Sequence, residues 1–173
     1  FHDEQRGRYA MFLDCAMPDR KNGPLGRASA GERKHHLHAV FEASVSVAAS
    51  WAAANWPDDT PLDLLGVGKK RISPSYITGP ARTLVFLQAL AAADMCPAPD
   101  FKAFSRMVLG EAPAFTGVIL ILPAPDAKRL ALAGTLEKAP LDVKTFAVTW
   151  DGDGEDIAGC IMVRPSSIAE DLA

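Results

Sequence analysis

Several apolar runs in this chain show no alternation with polar residues, and stretches of helical period separate them. Thr116-Gly-Val-Ile-Leu-Ile-Leu122 is the clearest run, and a strand of that kind needs cover on both faces. Tyr9 to Ala16 and Pro61 to Val67 read the same way, and Lys144 to Trp150 and Gly159 to Arg164 complete the strand set. Between the first two, His35 to Trp56 places Leu37, Val40, Phe41, Ala48, Trp51 and Ala52 at helical spacing. Its polar side is narrow, so this helix should be buried against the sheet and neighbouring helices. Thr78-Gly-Pro80 opens a second helix running to about Met95, with proline in the first turn. Asp100 to Leu109 and Asp126 to Lys138 are further helices, and each aspartate follows a proline as an N-cap. Lys69 to Ile77 places turn residues between two short β-like runs, an edge hairpin around Ile72 to Ile77 with Pro74 barring a central position. Asp151 to Asp156 is an acidic turn, and Ser166 to Leu172 a short terminal helix. Alternating strands and helices predict a doubly wound α/β fold: a mainly parallel sheet with helices on both faces and one edge hairpin.

The 173 residues, 49% hydrophobic and 23% charged, support one domain over the whole chain. A formal charge of −3 gives no global attraction to nucleic acid. Cys15, Cys96 and Cys160 are far apart and form no CxxC pair, which fits a reducing compartment and small hydrophobic roles. Ala39 to Ala54 is interrupted by Glu42 and serines, too polar and short for a membrane span. The chain starts at Phe1 without methionine or signal peptide, as expected of a piece of a longer, cytoplasmic or membrane-anchored parent.

Asp14 is the candidate functional residue, because ligands bind outside the carboxyl ends of strands in open α/β sheets. An aspartyl phosphoryl-transfer nucleophile would need a second acid two residues on, where Ala16 stands. Gly66-Val-Gly68-Lys-Lys is too short for a P-loop, no G-x-G-x-x-G follows a strand, and no G-x-S-x-G elbow occurs. His35, His36 and His38 cluster at a helix start, but only His35 and His38 share a face, so a solvated helix start is the expectation. Cys15 has no cationic neighbour in the local sequence to activate it. An α/β enzyme using the strand-end site around Asp14 is the alternative to a binding module.

An apolar strand ending in aspartate, a loop, a long helix, a strand, an edge hairpin and a buried strand ending near Pro123 resemble a von Willebrand factor A-like domain. Arg6-Gly-Arg-Tyr-Ala-Met-Phe-Leu-Asp-Cys-Ala-Met17 resembles, more narrowly, the start of such a domain in DUF58 proteins. The resemblance implies a site built on D-x-S-x-S after the first strand, a loop threonine and a later aspartate, together holding a divalent cation. Asp14 matches the first position, whereas Ala16 and Pro18 replace both serines and Pro123 stands at the final aspartate. Thr78 matches the loop threonine, with Thr83 as the alternative register. The site is degenerate, so the expectation is no metal and no cofactor, with weak metal-dependent adhesion as a further alternative.

The resemblance implies a non-enzymatic interaction domain, an accessory or adaptor to a MoxR-type AAA+ ATPase in protein assembly or maturation. The expected partner surface comprises Asp14, Met17, Thr78 and Pro123 with the neighbouring Met17 to Lys34 loop, in which Arg20, Lys21 and Arg27 form a positive segment. Neither nucleic acid nor membrane is expected to contact this segment.

Overall fold

In the computed structural model, residues 7–16, 30–54, 61–67, 81–95, 101–150, 156–166 and 168 are described. Strands β1 (Tyr9–Asp14), β2 (Leu62–Val67), β3 (Gly117–Pro123), β4 (Asp142–Val148) and β5 (Ile161–Val163) form one sheet in the order β2-β1-β3-β4-β5. Every pairing is parallel. The chain moves from β1 to β2 on one side and returns to β3 on the other, so strand order reverses between β1 and β3. That reversal opens a crevice at the carboxyl ends of these two strands, where open α/β sheets place their ligands.

Among the described residues four α-helices cover the two faces: α1 (Ala30–Ala54), α2 (Ala81–Ala91), α3 (Phe101–Glu111) and α4 (Ala127–Leu136). Alternate residues of each strand point to opposite faces, which splits the core in two. Met11, Leu13, Ile119, Ile121, Phe146 and Val148 pack with α1 and α2, joined by Val47, Trp51, Phe86 and Leu90. Ala10, Phe12, Val118, Leu120 and Leu122 pack on the other face with Phe104 and Val108 of α3 and Leu132, Ala133 and Leu136 of α4. Phe12, Leu120 and Ile121 are fully buried, as the unalternating runs require. Burying β3 on both faces removes its apolar side chains from water at about 25 cal/mol per Å².

The 25-residue α1 accounts for the chain's long apolar stretch. Lys34–Ala54 is long and apolar enough to cross a membrane by length and composition. In the fold its apolar side is spent on the sheet, with Val40, Phe41, Val47, Ala48 and Trp51 buried. Ser44 is also buried, and its hydroxyl donates to the Val40 carbonyl 2.8 Å away, so the polar group costs the core little.

Gly117 of β3 sits opposite Tyr9 of β1, and the Tyr9 ring occupies the space a β-carbon on Gly117 would need. At the same end of the sheet, Arg8 pairs with the buried Asp63 of β2 at 2.6 Å and lies 4.8 Å from the Phe115 ring centroid. Within the described residues the expected helices and strands are present, with α1 beginning earlier than His35 and β5 shorter than Gly159 to Arg164; the Thr78-Gly-Pro80 start of the second helix lies outside those residues. The expected hairpin at Lys69 to Ile77, positions 151–155 of the acidic turn and the Asp100 cap lie outside the described residues. So does the terminal helix, apart from residues 166 and 168.

Candidate functional site

Asp14 closes β1 at the mouth of the crevice, and its side chain is wholly buried. Both carboxylate oxygens have partners. Oδ1 accepts the Ala16 backbone N–H at 2.8 Å, and Oδ2 accepts Arg129 Nε–H at 2.7 Å. A carboxylate without these partners could not stay charged in such a place.

Arg129 comes from the first turn of α4, on the far side of β3. Asp126 caps that helix, accepting the Arg129 backbone N–H at 3.0 Å through Oδ1. Proline on each side of Ala124 forces a sharp exit from β3, and Ala124 takes a left-handed φ of 43°. Its N–H still donates to the Val148 carbonyl at 2.7 Å, which ties the turn to β4. The helix therefore starts beside the crevice. Arg129, Leu132, Ala133 and Leu136 recur at helical spacing, so the arginine occupies the core-facing stripe.

The guanidinium uses its whole fork. Nε binds Asp14, Nη1 donates to Asp126 Oδ2 at 3.1 Å, and Nη2 donates to the Ala16 carbonyl at 2.8 Å. The Phe101 ring of α3 lies 4.8 Å from Cζ, a cation–π contact that covers one face of the plane. Arg129 is 1% exposed. One side chain thus joins the end of β1, the β3–α4 turn and α3, and fills the crevice between β1 and β3 from within.

Burial pushes the Asp14 carboxyl up to about 6 from an ordinary 3.8. The Arg129 charge and the hydrogen bonds from Ala16 and Arg129 offset part of that rise, and Asp126 adds slightly to it. Perturbed carboxyls often mark active sites, but here the cause is burial, and the carboxyl is closed off by its pairing with Arg129 with no surface open to substrate.

A divalent cation does not fit these residues. It would have to sit against a carboxylate whose oxygens already accept N–H groups, beside a guanidinium 2.7 Å from Oδ2. Octahedral coordination also needs several oxygens, and Ala16 and Pro123 offer no side-chain ligand. Among the described residues no three His, Cys, Asp or Glu side chains converge as a metal site. Beside the crevice, on the α1 face, lies a cavity of about 10 Å³ lined by residues including Cys15, Val40, Phe41, Met95 and Ala124, room for one water at most.

Two expected partner-binding residues need correction. Asp14 and Pro123 are both buried, so neither offers surface for direct contact. The reason for Asp14 is the Arg129 ion pair; for Pro123 it is the sheet position beside Val148. Met17, Pro18, Arg20, Lys21, Arg27 and Thr78 lie outside the described residues, and Thr83 is half-buried in α2. The histidine cluster is solvated only in part. His35 and His38 are exposed, while the His36 ring stacks on Trp150 with centroids 4.0 Å apart. Cys15 is buried, as its apolar setting implies. Sequence reasoning missed Arg129, Phe101 and the Ala16 carbonyl. The available signal was an arginine in the register of Leu132, Ala133 and Leu136.

No protein-family model and no curated protein matches the chain. Among solved structures it is similar to the von Willebrand factor type A from Catenulispora acidiphila, with TM-score 0.54 and 11% identity over 96% of this chain and 41% of that one. It is similar as well to proximal thread matrix protein 1 from the mussel byssus, with TM-score 0.51 and 9% identity over 96% of this chain and 45% of that one. A structure of that mussel protein with a zinc-occupied MIDAS motif gives TM-score 0.51 and 10% identity, over 96% and 46% of the two chains. The chain therefore spans less than half the length of each. At such identity the likeness concerns architecture alone: the chain has a von Willebrand factor A-like fold.

Proposed function

We propose that the domain is a non-enzymatic protein-interaction module that presents the rim of its carboxyl-end face to a protein partner. One observation carries this reading: Arg129 fills the crevice between β1 and β3 from inside, and Asp14 is fully buried against it. An enzyme using Asp14 would need that carboxylate open to substrate. Metal-dependent adhesion would need it open to a cation. The fold resembles von Willebrand factor A-type interaction domains, which supports binding over chemistry.

In this proposal Met17, Arg20, Lys21, Arg27 and Thr78 are the residues that meet the partner, with Asp14 and Pro123 as buried support. The positive segment within a chain of net charge −3 calls for an acidic partner surface. The DUF58 resemblance makes a MoxR-type AAA+ ATPase the first partner to test, in a reducing cytoplasm and on a parent chain that is free to be membrane-anchored elsewhere. The test measures binding of the chain to the MoxR-type ATPase of the same genome at low and physiological salt, with Arg20, Lys21 and Arg27 changed to serine in a parallel sample. Binding that weakens with salt is expected, because exposed charges are screened over about 8 Å at physiological ionic strength. The triple variant should bind more weakly with a shallower salt dependence. Absence of binding would remove the ATPase as partner, and unchanged affinity in a folded triple variant would remove the loop from the interface.

A further inference from the structure

The buried guanidinium stands between the ends of β1 and β3 and the start of α4, with two carboxylates turned toward it. We infer that Arg129 is the site's own cation: it assembles the strand-end floor that a metal ion would otherwise have to assemble, and it makes that floor independent of any ion from solution. The inference rests on the reading of the crevice as closed rather than catalytic. It deepens that reading by giving the closing group a role.

Three features carry it. The first is charge: two carboxylates, Asp14 and Asp126, face one guanidinium, with Nε–Oδ2 at 2.7 Å and Nη1–Oδ2 at 3.1 Å. The second is span. Nη2 reaches the Ala16 carbonyl at 2.8 Å, so a side chain of α4 holds backbone beyond β1, more than a hundred residues earlier in the sequence. A lysine could supply the charge but not three donors in one plane. The third is enclosure. Phe101 covers the guanidinium face, and Arg129 is 1% exposed, so no ordinary solvated surface pair is involved.

Removing the arginine side chain would leave two carboxylates and a carbonyl around an empty space of guanidinium shape. Such a space should accept guanidinium itself. The experiment uses the 173-residue chain and its Arg129→Ala variant, followed by thermal unfolding with guanidinium chloride titrated through low-millimolar concentrations, far below denaturing ones. Sodium chloride and methylammonium chloride at equal ionic strength are the controls. The variant should melt roughly 6–20 °C below the parent, because breaking a buried pair strands its partner. Guanidinium should raise the variant's Tm saturably, leave the parent's unchanged, and lose its effect when Asp14→Asn is added.

A folded Arg129→Ala chain that shows no response to guanidinium, or the same response as the parent, would overturn the inference. If that variant does not fold, Arg129→Met is measured in its place. A melting point well below the parent is expected, and one equal to or above it would overturn the inference equally. No partner is present in these measurements, so their failure and a failure of partner binding are separate results.

Discussion

Asp14→Asn sets two opposing effects on Asp14 against each other. Burial disfavours its charge and Arg129 favours it, and burial wins, taking the carboxyl up to about 6 from 3.8. The native protein therefore holds this proton more tightly than the unfolded chain does. Stability from this group is fully present below about pH 4 and is lost as pH rises through about 6, because between those values the native state binds more protons than the unfolded one. A shift of roughly two pKa units, at about 1.4 kcal/mol each, amounts to about 3 kcal/mol. Asparagine keeps the shape and does not titrate. Urea unfolding of both chains at intervals between about pH 4 and pH 7 gives a difference curve from which the other carboxylates cancel. The parent should lose about 3 kcal/mol relative to Asp14→Asn across that range. A flat curve would mean that the ion pair fully offsets burial. A curve in which the parent gains with rising pH would mean that Arg129 dominates, and the reasoning would be wrong in sign.

Two backbone positions offer further checks. Gly117→Ala puts a β-carbon into the Tyr9 ring and 3.1 Å from the Asp142 carbonyl oxygen, so it should cost about 1–3 kcal/mol in chemical denaturation, as overpacking does. Ala124→Gly relieves a left-handed φ of 43° and should raise stability by up to about 1 kcal/mol, read as a higher Tm, whereas Ala124→Val should lower it.

The fold was legible because hydrophobic pattern reports burial directly. Val118 to Leu122 has apolar residues at every position, and only a strand covered on both faces suits it. Asp126 was legible as a cap because capping is local: proline before, helix after, and a backbone N–H within reach at Arg129. The site was legible in position and not in exposure. A carboxylate at a strand end marks the crevice, but its partner lies 115 residues away in sequence, and nothing near Asp14 announces it. The Ala16 carbonyl is main chain and carries no side-chain signature at all. Arg129 could have been found, since it falls on the apolar stripe of α4 with Leu132, Ala133 and Leu136, where a charge must find a partner. His36 misled for a similar reason: its partner Trp150 belongs to the far end of the chain.

The central claim is that this domain of von Willebrand factor A-like fold closes its strand-end site with an arginine, which leaves the Asp14 carboxylate closed to a cation. Titration calorimetry of the chain with Mg²⁺ and Mn²⁺, alongside Asp14→Ala, tests it most directly. The account predicts no saturable heat at sub-millimolar metal in either protein. Saturable sub-millimolar binding that disappears in Asp14→Ala would contradict it, because the carboxylate would then be open to a cation that Arg129 should exclude.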